Sequence, residues 1–162
     1  MRIPAALKVV ALLAMGSAVW PAAAQQDTFD ACDVLTQADA EQALGTAAQG
    51  EPVNPKVKRP KVVATCTYHG NKDGKAVTAS AQFRFGKTES DAQRAFDEHR
   101  LQVQTKPLMI PGTEGAFWSS KTGQMNLRKG RTWVTVSVGS PQLNERDMEQ
   151  ARKLAELLGK KL

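Results

Sequence analysis

Chemistry-bearing residues are scarce in this chain. It has two cysteines, two histidines and one tyrosine, and aromatics make up 6% of its residues. No G-x-S-x-G elbow is present, so the usual α/β-hydrolase nucleophile has no seat. No cluster of His, Cys or carboxylate stands at zinc-ligand spacing, and no metal or other cofactor is expected. No G-x-x-x-x-G-K-[ST] loop occurs either; Gly112-Thr113-Glu114-Gly115 leads towards a strand and reads as a turn. Lys121-Thr122-Gly123 echoes a triplet of penicillin-recognising enzymes, but S-x-x-K and S-D-N partners are absent and a turn is the plainer reading. Past Trp20 no apolar run reaches the roughly 18 residues that span a bilayer.

The start of the chain is rich in signal. Arg2 and Lys8 give a positive beginning, Val9 to Trp20 is apolar, and Ala22-Ala23-Ala24 offers an A-x-A site. That order reads as a signal peptide over residues 1–24, cut before Gln25. The expectation is an exported protein, periplasmic or secreted. Removing that segment leaves 138 residues, enough for one domain with its own core. The net charge of +6 falls to +4, because Arg2 and Lys8 leave with it. A mild positive surplus is compatible with anionic polymers, though a solvated surface is the ordinary explanation. Nucleic acid is not among the expected partners.

In an oxidising compartment, an even pair of cysteines in a short chain reads as a disulfide, here Cys32–Cys66. A two-Cys metal or redox site is the rival reading, but the spacing is far from C-x-x-C.

Residues 25–31 read as a flexible leader, and 32–162 as one α+β domain. Thr36 and Asp39 form a capping box for a short helix that ends at Gly45. Pro52, Pro55 and Pro60 oppose regular structure, so Lys56, Lys58, Arg59 and Lys61 fall in an extended basic loop. It is a candidate anion grip; the bland alternative is an exposed charged run. Residues 62–69 and 75–85 form a hairpin around Gly70 to Gly74, with Val77, Ala79, Ala81, Phe83 and Phe85 on one face. Thr88 caps a second helix whose inner stripe is Ala92, Ala95, Phe96, His99 and Val103, ended by Pro107. Strands over 115–119, 124–128 and 131–138 follow as a meander. A last helix is expected from an Asn144 cap, with Leu143 stapled to Met148 and a stripe of Met148, Ala151, Leu154, Ala155 and Leu158. The order helix, hairpin, helix, three-stranded meander, helix predicts one antiparallel sheet of about five strands packed against helices.

Ala31-Cys32-Asp33-Val34-Leu35-Thr36, Ala43-Leu44-Gly45 and Cys66-Thr67-Tyr68 form one set of local motifs. Ile110-Pro111-Gly112, Gly115-Ala116-Phe117-Trp118, Leu127 to Gly130 and Val134-Thr135-Val136 form another. Together, over most of residues 31–158, they resemble a group of small extracytoplasmic domains of unknown function, many of them lipoproteins. That resemblance implies an α+β sandwich and the Cys32–Cys66 bridge, and it carries over no catalytic residue. The chain lacks the lipidation cysteine of that group at the cleavage point.

The expected function is an exported, non-enzymatic binding domain that engages a protein partner in the cell envelope or outside the cell, including inhibition or neutralisation of a secreted enzyme or toxin. Candidate contacts are Trp118, Trp133, Phe117, Tyr68, Arg131 and Arg84, because interface hot spots favour Trp, Tyr and Arg; core padding is the competing role of the aromatics. The alternative is a binder of anionic envelope polymer or a small anion through the basic loop. A third reading is a small hydrolase using His99; a satisfied, semi-buried histidine is the ordinary explanation there. His69 reads as an exposed turn residue.

Overall fold

The hairpin sets the frame. A computed structural model of the protein describes residues 29–54, 63–103 and 105–162. Strand β1 (Val63–Lys72) and β2 (Lys75–Phe85) pair antiparallel out to Lys72 opposite Lys75. Only Asp73 and Gly74 turn the chain, both at positive φ (52° and 77°), as a two-residue hairpin turn requires. The turn is therefore tighter than the Gly70–Gly74 stretch suggested. Gly70 lies within β1, where residues of the preceding segment press close: Thr46 Cγ2 is 3.1 Å from the position a Cβ would take.

Among the described residues, six strands form one open sheet in the order β1-β2-β6-β5-β4-β3, with every neighbouring pair antiparallel. The meander is β4 (Gly115–Ser119), β5 (Gln124–Lys129) and β6 (Thr132–Gly139). The strand beyond the expected five is β3 (Thr105–Leu108), which contains Pro107. It is an edge strand, where a residue without N–H is tolerated because that side of the strand needs no ladder partner. The opposite edge is partly covered: residues 48–53 hydrogen-bond to β1 through Gln49 N–H to His69 O and a reciprocal Val53–Thr67 pair.

Side-chain alternation divides the sheet into two unlike faces. The first carries Cys66, Ala79, Ala81, Phe83, Leu127, Met125, Val134, Val136 and Val138, all at most 1% exposed. Helices α1 (Ala31–Val34), α2 (Gln37–Leu44) and α4 (Met148–Gly159) pack here. Ala151, Leu154, Ala155 and Leu158 of α4 are buried, as the stripe predicts, and Met148 packs against the same core. The second face carries α3 (Glu89–Gln102), with Ala92 and Phe96 buried, His99 half-buried and Ala95 exposed.

Local signals set most helix starts. Thr36 and Asp39 make the reciprocal capping box, and Gly45 closes α2 at φ +67°. Thr88 accepts from the Asp91 N–H at the start of α3. The start of α4 differs from expectation. Residues 143–145 form a 3-10 turn, and Asp147 is the cap, accepting from the Glu149 and Gln150 N–H groups. Asp147 can do so because its own N–H is already bonded to Val138 O at the end of β6, which fixes the chain's approach. Leu143 is exposed rather than stapled onto Met148.

The leader also ends earlier than residue 31. Phe29 packs its ring 5.1 Å from Phe83 and 4.8 Å from Phe85. Asp30 caps α1 and accepts from the Asn54 side chain, and Ala31 is fully buried. The disulfide Cys32–Cys66 ties α1 to β1. At the other terminus, Lys161 Nζ donates to Asp39 and to Val34 O, closing the end of the chain onto α1 and α2. The expected signal peptide, residues 1–24, and residues 25–28 lie outside the described residues. Among the described residues no helix is long and apolar enough to cross a membrane.

Candidate binding surface

The register brings together three residues that sequence could not show to be neighbours. Arg84 of β2 stands opposite Trp133 of β6. Its guanidinium lies 4.6 Å from the Trp133 ring centroid, a cation–π geometry. Gln82 Oε1 accepts from Arg84 Nε and Nη2 at 3.1 and 2.9 Å, so the guanidinium is held on two sides. From α3, the His99 ring reaches within 5.1 Å of Trp133 and 6.0 Å of Phe117. Phe96 completes the cluster at 5.0 Å from Phe117 and 6.0 Å, edge-on, from Trp133.

The aromatics offered as candidate contacts are inside, in the competing core role. Trp133 is 6% exposed beneath α3, and Trp118 is 9% exposed in the first-face core. Phe117 and Tyr68 are buried as well. Arg131 is exposed but turned to the end of β2, where its Nε donates to Gly86 O, so it does not join Arg84 on Trp133. Lys56, Lys58, Arg59 and Lys61 lie outside the described residues.

Two polar residues that the sequence reading passed over organise this face. Asn126 is fully buried, and its Oδ1 accepts from Trp133 Nε1 at 3.0 Å and Thr135 Oγ1 at 3.1 Å. Arg128 is also buried and pairs with Glu114 at 2.6 Å. The alternation of Met125 and Leu127 with Asn126 and Arg128 was the available signal: in a strand it sends both polar residues to the face opposite the main core.

Beyond the α3 seam, the same face becomes an array of hydroxyls and amides. One row across the sheet is Thr65, Gln82, Thr135 and Asn126; the next is Thr67, Ser80 and Ser137. Thr67 Oγ1 donates to Ser80 Oγ at 3.0 Å. None of these side chains is charged. Helix α3 packs on β5 and β6, and Thr65, Thr67, Ser80 and Gln82 on β1 and β2 stay half-exposed.

Catalytic geometry is harder to assemble from these groups. Burial, and secondarily the Arg84 cation, push the His99 imidazole below its ordinary value of 6.5. A neutral imidazole can act as a base, but a triad also needs a nucleophile and an orienting group. His99 has no hydrogen-bond partner among the described residues, and its neighbours are aromatic rings and a cation. Both sulfurs are joined in the disulfide. Among the described residues no group of three or more His, Cys, Asp or Glu could hold a metal ion. A groove of about 260 Å³ runs between α3 and the β3–β4 edge, and a more open one of about 400 Å³ lies between the hairpin turn and the start of α4. Both carry mixed charge, from Asp97, Arg100, Glu114 and Arg128 in the first and Lys72, Asp73, Glu145 and Asp147 in the second.

Comparison of the chain with protein-family models, curated proteins and solved structures gives no match.

Proposed function

We propose that the protein is an exported, non-enzymatic binding domain that engages a protein partner through the second face of its sheet. One observation carries the reading: Arg84 is a half-exposed arginine held in place by Gln82 and Trp133 beside uncharged rows of Thr, Ser and Gln. Arginine is enriched at protein interfaces, and a pre-ordered guanidinium loses less side-chain entropy on docking than a free one. The uncharged rows favour a protein over a polyanion, because they offer donors and acceptors but no counter-charge. Export is supported by the signal-peptide pattern of residues 1–24 and by a disulfide of the kind that persists outside the cytoplasm.

The test places a photo-reactive amino acid at position 80, and separately at exposed position 153 on α4, in the protein as exported by its own cells. A discrete protein adduct from position 80, absent from position 153 and lost with Arg84→Ala, is the expected result. No adduct from position 80 across low and high salt would overturn the reading. Salt-sensitive retention on anionic beads, abolished by charge reversal of Lys56, Lys58, Arg59 and Lys61, would favour the anionic-polymer alternative instead.

A further inference from the structure

Helix α3 is attached to the sheet unequally at its two ends. Its entry is pinned. Gly86 N–H bonds Arg131 O at 2.9 Å, and a Cβ at Gly86 would lie 2.6 Å from Thr88 O and 2.7 Å from Ala92 N. Glu89 in the first turn lies 4.0 Å from the buried Arg128. The later turns are held differently. Phe96, His99 and Val103 rest on Phe117 and Trp133, and that contact is almost wholly one of rings.

His99 is the titratable member of that contact, and its surroundings do not favour a second charge. From β2, the Arg84 cation lies against the same Trp133 ring as His99, 4.6 Å from its centroid. From β6 and β4 it faces Trp133 and Phe117. On β5, Arg128 stands opposite Trp133 and is already paired with Glu114 and close to Glu89. On α3 itself, Asp97 is paired with Arg100 at 3.3 Å, and Glu98 is exposed. The indole whose π-electrons could offset a new cation already holds Arg84.

We propose that the seam under α3 is an acid-responsive joint: a proton on His99 sets a second cation beside Arg84 on the shared Trp133 ring, and the later turns of α3 detach while the first-face core stays closed. The hinge is the pinned Gly86–Thr88 entry. Detachment would uncover Phe96, Phe117 and Trp133, an aromatic surface that the neutral form keeps hidden. This proposal is independent of the partner reading, since it concerns the isolated domain.

The sign follows from linkage. The folded state holds His99 below 6.5, so the unfolded or detached state binds the proton first. Attachment is complete above 6.5 and is lost as pH falls below it.

The experiment is amide hydrogen exchange on the processed, oxidised protein at pH 7.5 and pH 5.0, corrected for intrinsic rates, with His99 and the exposed His69 titrated by NMR. The expected result is a loss of protection over residues 96–102 of roughly tenfold per unit of pKa depression, with α4 unchanged. In His99→Phe, protection of those residues should be flat across the two pH values. His99→Gln serves if the phenylalanine variant does not fold. Arg84→Gln should move the His99 midpoint upward. Equal pH response in α3 and α4 of the native protein, or a pH-dependent loss that persists in the histidine variants, would overturn the proposal.

Discussion

The two faces of one sheet are stabilised by different means. The first is covered by α1, α2 and α4 over an aliphatic core that includes Leu127, Val134, Val136, Leu154 and Leu158. It is further tied by a disulfide and by Lys161 reaching back to α1 and α2. The second has a small aromatic cluster under a single helix, a buried Asn126 hub and rows of hydroxyls. Apolar burial is non-directional and grows with area, so the first face contributes most of the stability. The second face has less apolar area and more directional chemistry, which suits recognition and local motion.

The largest expected effect breaks the first face covalently. Replacing Cys32 and Cys66 together by alanine opens a loop with a sequence separation of 34. The chain-entropy model gives a loss of about 4 kcal/mol, measurable by urea denaturation. A loss under about 1 kcal/mol would show that packing of Phe29 and Leu35 already confines α1.

A matched pair of truncations sharpens the contrast. Leu154→Ala removes a fully buried side chain of α4 and should cost about 3 kcal/mol, lowering protection throughout the sheet. Phe96→Ala should cost a similar amount locally, but exchange should rise in α3 first while α4 keeps its protection. Equal, global responses to both would erase the proposed distinction between the faces.

Acid separates the faces by pH window. Burial alone would raise the Asp39 carboxyl, but hydrogen bonds from Lys161 and Thr36 together outweigh it and hold the group below 3.8. The unfolded chain therefore binds that proton first, and the Asp39 contribution is complete above 3.8 and lost as pH falls below it. Lys161→Met should remove about 1 kcal/mol or less at neutral pH, because the lysine is partly exposed, and should flatten the unfolding curve below pH 3.8. The His99 window lies higher, below 6.5, so the second face should respond to acid before the first.

The smallest effect is at Arg84. Arg84→Gln removes the cation over Trp133 and should cost about 0.5 kcal/mol of folding stability. Under the proposed function it should nevertheless abolish partner binding. A large stability loss with unchanged binding would make Arg84 a structural residue only.

Much of this architecture was legible from local patterns. Alternation in β2 placed Ala79, Ala81 and Phe83 inside, and the three-and-four spacing of α4 picked its buried stripe. The α4 cap was misassigned because Asn144 and Asp147 carry equivalent side-chain acceptors, and the choice between them depends on a bond from Asp147 N–H to β6. Strand β3 was missed because Pro107 reads as a breaker unless its segment is known to lie at a sheet edge. The site was the least legible part. Alternation put Trp133 on the face opposite the valines but left open whether it was exposed or under a helix, and α3 crossing the second face makes that position interior.

The sequence by itself determined α2, α3 and the body of α4, the hairpin and five of the strands, since caps, turns and periodicity act between residues a few positions apart; the short α1 was not among them. The order of strands in the sheet, the covering of both faces, and the meeting of Arg84, Trp133 and His99 were decided by tertiary structure. Those contacts join residues 15 to 49 positions apart in sequence, and they exist only once β2 and β6 have paired and α3 has closed over them.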